Sequence, residues 1–497
     1  MKKRYFPFYP LVFAAFPTLT LMAYNTLQVR FTVIFRPLVI SLLFVILLFA
    51  LVYVLFQKNK LKAALITGVT IILFFSYGHL YNLVKSVSFL NTILGRHRYL
   101  LGIYGLIWIS VLILSLKKNI RPDFTKLMNI ISIILIALPL LQIGNYYANE
   151  AIAYWKLNPS QGTDANAVAE LGYAPDVYYI ILDSYSRPDA LLENYGLDMT
   201  SFIEEMEELG FYYASESHSN YNETFSSLST SLNLEFITDI LEESDIESNS
   251  ASHRDMVIHN KVRSFFESLD YEIVAFSTGY KWSEMDDADI YYKVPQSTIF
   301  YDITPFESLL VKNLIVYPFL EYFPDFLNLD FKQQVDSTHE EHIKTQRNVL
   351  EKLPEITENK NPTFTFAHIL IPHLPYVFDV DGSILEDPGY NSGEGGYAIN
   401  ESYELDGYEK AVKFISQQIV NISQQILENS ESKPIIIIQS DHGWKDDHRY
   451  KILNLYYFPD EDYESLYPAI SPVNSFRIVL SEYFSLDYEL LEDRIYE

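Results

Sequence analysis

No cysteine occurs among the 497 residues, so no disulfide staples any part of the chain and each folded unit must stand on its own core. Acidic residues are nearly missing from the first 150 positions, where Asp123 and Glu150 stand alone against 15 Lys and Arg. Basic residues are scarce in the remainder, where 21 Lys and Arg face 62 Asp and Glu, a formal charge of −41. A polar part without clustered cations cannot displace the counterions of a phosphate backbone, which excludes nucleic acid as a partner. The same balance excludes passive attraction to an anionic lipid surface. An anionic substrate would need a bound cation to be held there. A solvated, salt-adapted surface accounts for most of the acidic excess.

What the front of the chain does contain is apolar length. Runs lie near Pro7 to Tyr24, Leu38 to Phe56, Ala63 to Leu80, Tyr99 to Leu116 and Leu127 to Ile143, each approaching the roughly 20 residues a helix needs to cross hydrocarbon. Five spans are expected. The first is the weakest, broken by Pro10 and Pro17. It follows Lys2, Lys3 and Arg4 as a cleaved signal would, but no small-residue cleavage site closes it. With the N-terminus inside, the inner segments carry ten Lys and Arg and the outer loops five, which sets that orientation and puts the C-terminal part outside. The expected division is 1–146 transmembrane, 147–174 an interfacial linker holding Trp155, and 175–497 an outer domain large enough for its own core.

The outer domain opens on Asp176 to Leu182, an aromatic and β-branched run that reads as a buried strand and ends at Asp183. A helix near Met199 to Leu209 is closed by Gly210. The rhythm repeats with helix Asn260 to Leu269, strand Tyr271 to Phe276, strand Thr363 to Ile371, helix Tyr408 to Glu428, strand Pro434 to Gln439 and strand Ile452 to Phe458. Alternation of this kind predicts an α/β domain with a central, mostly parallel sheet. Such sheets place their sites beyond the carboxyl ends of the strands. Asp183 and the pair Asp441-His442 both stand at such ends. A hydroxyl is available at Thr224, where Ser219 to Phe236 turns helical with Leu228, Leu232 and Phe236 on one face. Free amides at a helix start favour an anion, although Thr224 also reads as a plain N-cap.

An acid after the first strand, a hydroxyl at a helix start, His373-Leu374-Pro375-Tyr376 and a late Asp441-His442-Gly443 together resemble the alkaline phosphatase superfamily in its sulfatase-like branch. With spans in front, the layout is similar to membrane-embedded lipoteichoic acid synthases and lipid A phosphoethanolamine transferases. That resemblance implies Asp183, Thr224, Asp441 and His442 as metal ligands, with Thr224 also the nucleophile. It implies His373 as the histidine that grips the transferred group or protonates the leaving oxygen; His448 reads as a second phosphate contact or a solvated loop residue, and Arg187 as an anion clamp or the partner of a surface acid. His368 reads instead as a core residue. One divalent ion is expected, Mn or Zn before Mg or Ca, because carboxylate, hydroxyl and imidazole suit the former pair. The chain departs from sulfatases in lacking any Cys or Ser in a Cys/Ser-x-Pro-x-Arg setting, and from the lipid A transferases in lacking cysteines. The expected activity is phosphotransfer in the cell envelope, from a membrane lipid donor to a glycan or lipid acceptor through a phospho-threonine. An ester hydrolase with the same site and a non-catalytic membrane scaffold are the alternatives.

Overall fold

The computed structural model describes residues 6–26, 28–87, 95–157, 173–240, 256–294, 303–322, 338–385, 401–445 and 448–496. The chain forms two compact units, one of Met1–Ala148 with Gln296–Thr338 and one of Asn149–Pro295 with His339–Glu497.

In the first unit the helices are α1 (Tyr9–Tyr24), α2 (Phe35–Leu55), α3 (Lys60–Ser86), α4 (His97–Lys117) and α5 (Pro122–Leu157). Four stretches, Phe31–Leu55, Lys60–Ser86, His97–Lys117 and Pro122–Asn149, are long and apolar enough to cross a membrane. The fifth expected span, α1, is a 16-residue helix. It is also well buried, because Gly68 of α3 leaves room for the Tyr9 ring; a Cβ there would stand 2.6 Å from Tyr9 Cε2. By contrast α2, α4 and α5 turn out apolar side chains such as Leu47, Leu106 and Leu141, the surface a helix offers to lipid rather than water. Asn59 starts α3 by accepting from the amides of Leu61 and Lys62, both at 3.2 Å, the usual repair for orphan N–H groups.

The sequence division assigns everything after 175 to the outer domain, but the helix Pro305–Lys312 packs with the N-terminal helices. Phe306 is buried with Ala15, Leu19, Met22, Ile34 and Ile143. Arg36 forks onto Glu307, and Gly78 donates its amide to the Asn313 carbonyl at 2.9 Å. Of the expected linker, α5 continues helical to Leu157; residues 158–172 lie outside the described residues, and nothing of the Trp155 side chain is described.

The second unit is built on a seven-stranded sheet ordered β2-β7-β6-β1-β5-β3-β4. The strands are β1 (Val177–Leu182), β2 (Tyr212–Tyr213), β3 (Glu272–Phe276), β4 (Ile290–Tyr292), β5 (Thr363–Ile369), β6 (Ile435–Gln439) and β7 (Asn454–Tyr457). The five from β6 to β4 run parallel; β7 and β2 are antiparallel additions at one edge. Every residue of β1 is buried, as both-face coverage requires. The two-residue period sorts them: Tyr178, Ile180 and Leu182 join one core, while Val177, Tyr179 and Ile181 join the other. The first core takes the long helix α7 (Glu401–Asn429), through Tyr408, Val412, Ile415, Ile419, Ile422 and Ile426. The second takes α6 (Thr224–Asn233), through Leu228 and Leu232, and α8 (Pro472–Tyr483), through Phe476 and Leu480.

Candidate functional site

Three adjacent parallel strands end at one place. Ile181 of β1 pairs with His368 of β5 on one side and with Gln439 of β6 on the other. Two residues further along β1 and β6 are Asp183 and Asp441, so the two-residue period keeps Asp183, His368 and Asp441 on the face of Ile181 and Gln439. Ligand atoms of these three buried residues lie within 4.8 Å of one another. The face is the one that carries α6, which delivers Thr224. Thr224 Oγ1 stands 3.2 Å from His442 Nε2, and that nitrogen is 3.4 Å from Asp441 Oδ2. Thr224 is the first residue of its helix, not its cap; the position before it is Glu223, which makes no side-chain capping bond. The hydroxyl is therefore turned to His442 rather than used on the helix.

The turn after β1 is tightly fixed. Ser184 takes φ of +67°, a left-handed conformation costly for a residue with a Cβ. Its amide donates to Asp441 Oδ1 at 3.0 Å and its hydroxyl to Asp183 Oδ1 at 3.1 Å. Ser440 Oγ donates to the His442 carbonyl at 2.7 Å, and His442 Nδ1 lies 2.8 Å from the Gly443 carbonyl. A nitrogen facing a carbonyl carries the proton, so Nε2 presents its lone pair to Thr224.

The donor set fits a divalent cation. Asp441 Oδ2 and both ring nitrogens of His368 are buried without a hydrogen-bond partner. His368 Nε2 is 3.3 Å from Asp183 Oδ2, near enough for attraction. Orphaned buried polar atoms cost about 1–3 kcal/mol each, and a cation between them removes that cost. Burial pushes the Asp183 carboxyl up, but the charge of His373, the nearby His368 and then His442 outweigh it and hold the group well below the usual carboxylate range. It is an anion ready to bind a cation.

Of the residues expected from the sequence, Asp183, Thr224, Asp441 and His442 form one contiguous cluster. His373 is exposed, with Nδ1 2.8 Å from the Leu374 carbonyl, and its charge reaches Asp183. Arg187 is committed elsewhere: Nε and Nη2 hold the two oxygens of Asp189 at 2.7 and 2.9 Å, and Nη1 donates to the Ser217 carbonyl at 2.8 Å. His448 is half-buried, and among the described residues its ring makes no hydrogen bond to the cluster. Two residues enter that the sequence reading missed. His368 was read as core, yet it shares the face of Phe364 and Phe366 at the end of a strand next to β1, a parity that marks it once the pairing is known. Arg449 brings Nη2 to 3.4 Å from His442 Nε2.

No family model matches the chain, and no curated protein matches it. Solved structures resemble it, three of them as follows. One is an integral membrane lipooligosaccharide phosphoethanolamine transferase A from Neisseria meningitidis, at 13% identity over 95% of each chain and a TM-score of 0.42. The second is the C-terminal periplasmic domain of EcEptC from Escherichia coli in complex with Zn, at 12% identity over 64% of this chain and 84% of that one, with a TM-score of 0.41. The third is the lipoteichoic acid synthase LtaP from Listeria monocytogenes, at 11% identity, 67% and 77% coverage and a TM-score of 0.39.

Proposed function

We propose that this protein is a membrane-anchored, metal-dependent phosphotransferase that moves a phospholipid head group to an envelope glycan or lipid. The observation that carries the reading is the approach of Thr224 Oγ1 to His442 Nε2 at 3.2 Å, beside a buried group of Asp183, His368 and Asp441 with unsatisfied ligand atoms. Asp183, His368 and Asp441 would hold the ion, with His442 and Thr224 at its edge; Zn or Mn suits two carboxylates and imidazole. When bound, such an ion supplies charge stabilisation for phosphate oxygens and favours the ionised hydroxyl.

The side chains divide the remaining work. His442 Nε2 accepts the Thr224 proton as Oγ1 attacks phosphorus in line. A phosphorus–oxygen bond forms to Thr224 and the bond to the lipid alcohol breaks, with His373, exposed and near enough for its charge to act on Asp183, giving the departing oxygen its proton. The head group then sits on Thr224 as a phosphate diester. An acceptor hydroxyl gives its proton to His373 as it attacks the same phosphorus, and the Thr224 oxygen leaves, recovering from His442 the proton that it gave up. The start of α6, which the Glu223 side chain does not cap, would turn its positive end to the developing charge. Spans in front of the domain confine it to the surface where both lipid donor and envelope acceptor reside.

The test is intact-mass analysis of the full chain after incubation with membrane lipids and divalent ions. A head-group phosphate adduct on Thr224, lost in Thr224→Ala with bound metal unchanged, is the expected result. Turnover of a lipid donor that survives Thr224→Ala would overturn the reading.

A further inference from the structure

We propose that Arg449 is the side chain that grips the substrate's phosphate oxygens beside Thr224, the part that the sequence assigned to Arg187 and His448. The inference rests on the phosphotransfer reading and names how that site recognises its anion. Arg449 Nη2 and Thr224 Oγ1 converge on one atom, His442 Nε2, at 3.4 and 3.2 Å. The guanidinium therefore stands next to the attacking oxygen. Its orientation is set by the nucleophile's own loop, because Nε donates to the carbonyl of Asn222 at 2.5 Å, two residues before Thr224.

The backbone under Arg449 is equally fixed. Gly443 donates to the Arg449 carbonyl at 2.6 Å, and Ser219 donates to the Tyr450 carbonyl at 2.8 Å. One segment thus ties the loop that carries Asp441 and His442 to the loop that leads to Thr224. Only glycine serves at 443, since a Cβ would lie 2.7 Å from the His448 carbonyl oxygen and 2.9 Å from that of Lys451. The glycine of Asp441-His442-Gly443 is what lets the Arg449 segment close on the site.

Charge decides the chemistry. In a part of the chain with 62 acidic residues, three arginines hold carboxylates, Arg187 on Asp189, Arg263 on Asp287 and Glu267, and Arg494 on Glu492, while Arg347 and Arg477 donate to backbone carbonyls. Among the described residues no carboxylate pairs with Arg449, and its Nη1 makes no hydrogen bond. A half-buried guanidinium that shares His442 Nε2 with Thr224, with no carboxylate partner among the described residues, is suited to the oxygens of a phosphate ester. Its planar fork can hold one of a diester's two non-bridging oxygens while the other faces the start of α6.

The experiment uses the full chain in detergent, with inorganic phosphate as the binding probe and bis(4-nitrophenyl) phosphate as a soluble diester. Wild type, Arg449→Gln, Arg449→Lys and Arg187→Gln are compared by calorimetry, by KM and kcat, and by metal content per chain. For Arg449→Gln the expectation is phosphate affinity lowered about tenfold or more and KM raised in step, with metal content and melting temperature unchanged. Arg449→Lys should recover part of the affinity, and Arg187→Gln should keep all of it. If Arg449→Gln does not fold, Arg449→Lys carries the comparison, since it keeps the charge and loses the fork. Phosphate affinity within about twofold of wild type in the Arg449 variants, or a loss in Arg187→Gln instead, would overturn the assignment. Should phosphate binding depend on Arg449 while no adduct ever forms on Thr224, the transfer reading fails and the anion site stands.

Discussion

At the scale of single residues, His368 is the side chain with most to reveal. It sits in a strand between aromatic neighbours, with the Trp282 ring centroid 5.7 Å from its own, the setting of a packed core histidine. Its two nitrogens nevertheless lack partners, and one faces Asp183. If it binds the ion, His368→Ala should weaken metal affinity by more than the roughly 10–100-fold typical of losing an outer partner, measured by competition with a chelating dye. His368→Ala that keeps its full metal content would limit the site to Asp183, Asp441 and His442. Arg187 makes a different prediction. Burial pushes Asp189 up, but the Arg187 and Lys451 hydrogen bonds and charges prevail and hold it down to about 2 from an ordinary 3.8. A carboxyl depressed in the folded state adds stability that is complete above its unfolded value and is lost as pH falls through the folded one. Asp189→Asn should therefore lower the denaturation midpoint at pH 7 and lose that difference between about pH 4 and pH 2. A constant difference across that window would show that packing, not charge, makes the contribution.

At the scale of elements, α7 sets the geometry of all three site loops. Tyr408 donates to the Ser184 carbonyl at 2.9 Å and accepts from the Ser186 amide at 3.2 Å. Its ring stacks on Trp444 at 4.0 Å and 6°. One residue earlier, Gly407 lies against Tyr376 of the His373 loop so closely that a Cβ would overlap the ring. Gly407→Ala should cost about 1–3 kcal/mol by overpacking and should displace the His373 loop. Chemical denaturation reads the first effect and KM for the diester the second; a neutral outcome in both would show that the loop yields freely. These contacts explain what the sequence could convey. Strands such as β1 and β6 were legible because burial on both faces writes a continuous apolar run, and helix α7 because Ile415, Ile419, Ile422 and Ile426 keep its period. Asp183, Thr224 and Asp441-His442 were legible because each stands at the end of such an element. His368 and Arg449 were not. One depends on which strand lies beside β1, and the other on a backbone segment reaching across from a loop, and neither pairing is written in local pattern. The antiparallel placement of β7 between β6 and β2 and the packing of Pro305–Lys312 with the N-terminal helices were hidden for the same reason.

At the scale of the whole molecule, the difference between four long helices and five expected spans bears on the N-terminus and leaves the sheet domain untouched. The segments 56–59 and 117–121 carry Lys58, Lys117, Lys118 and Arg121, and an even number of crossings separates them, so both belong inside by charge. One further helix, α5, leads from the second of them to the sheet domain. That domain is thus expected outside whether or not α1 crosses. At 16 residues, α1 spans about 24 Å, less than the roughly 30 Å of hydrocarbon, while Lys2, Lys3 and Arg4 pull its start inward. Because the chain has no cysteine, single introduced thiols report position without background. A membrane-impermeant maleimide should label Glu431→Cys in intact cells and should reach Asn59→Cys and Asn119→Cys only after permeabilisation. Labelling of Asn59→Cys in intact cells with Glu431→Cys silent would invert the topology and remove the outer leaflet as the source of the donor. Lys3→Cys then settles α1: protection in intact cells means that the short helix crosses with local thinning of the bilayer, and labelling means that it packs against α3 through Tyr9 and Gly68 without spanning.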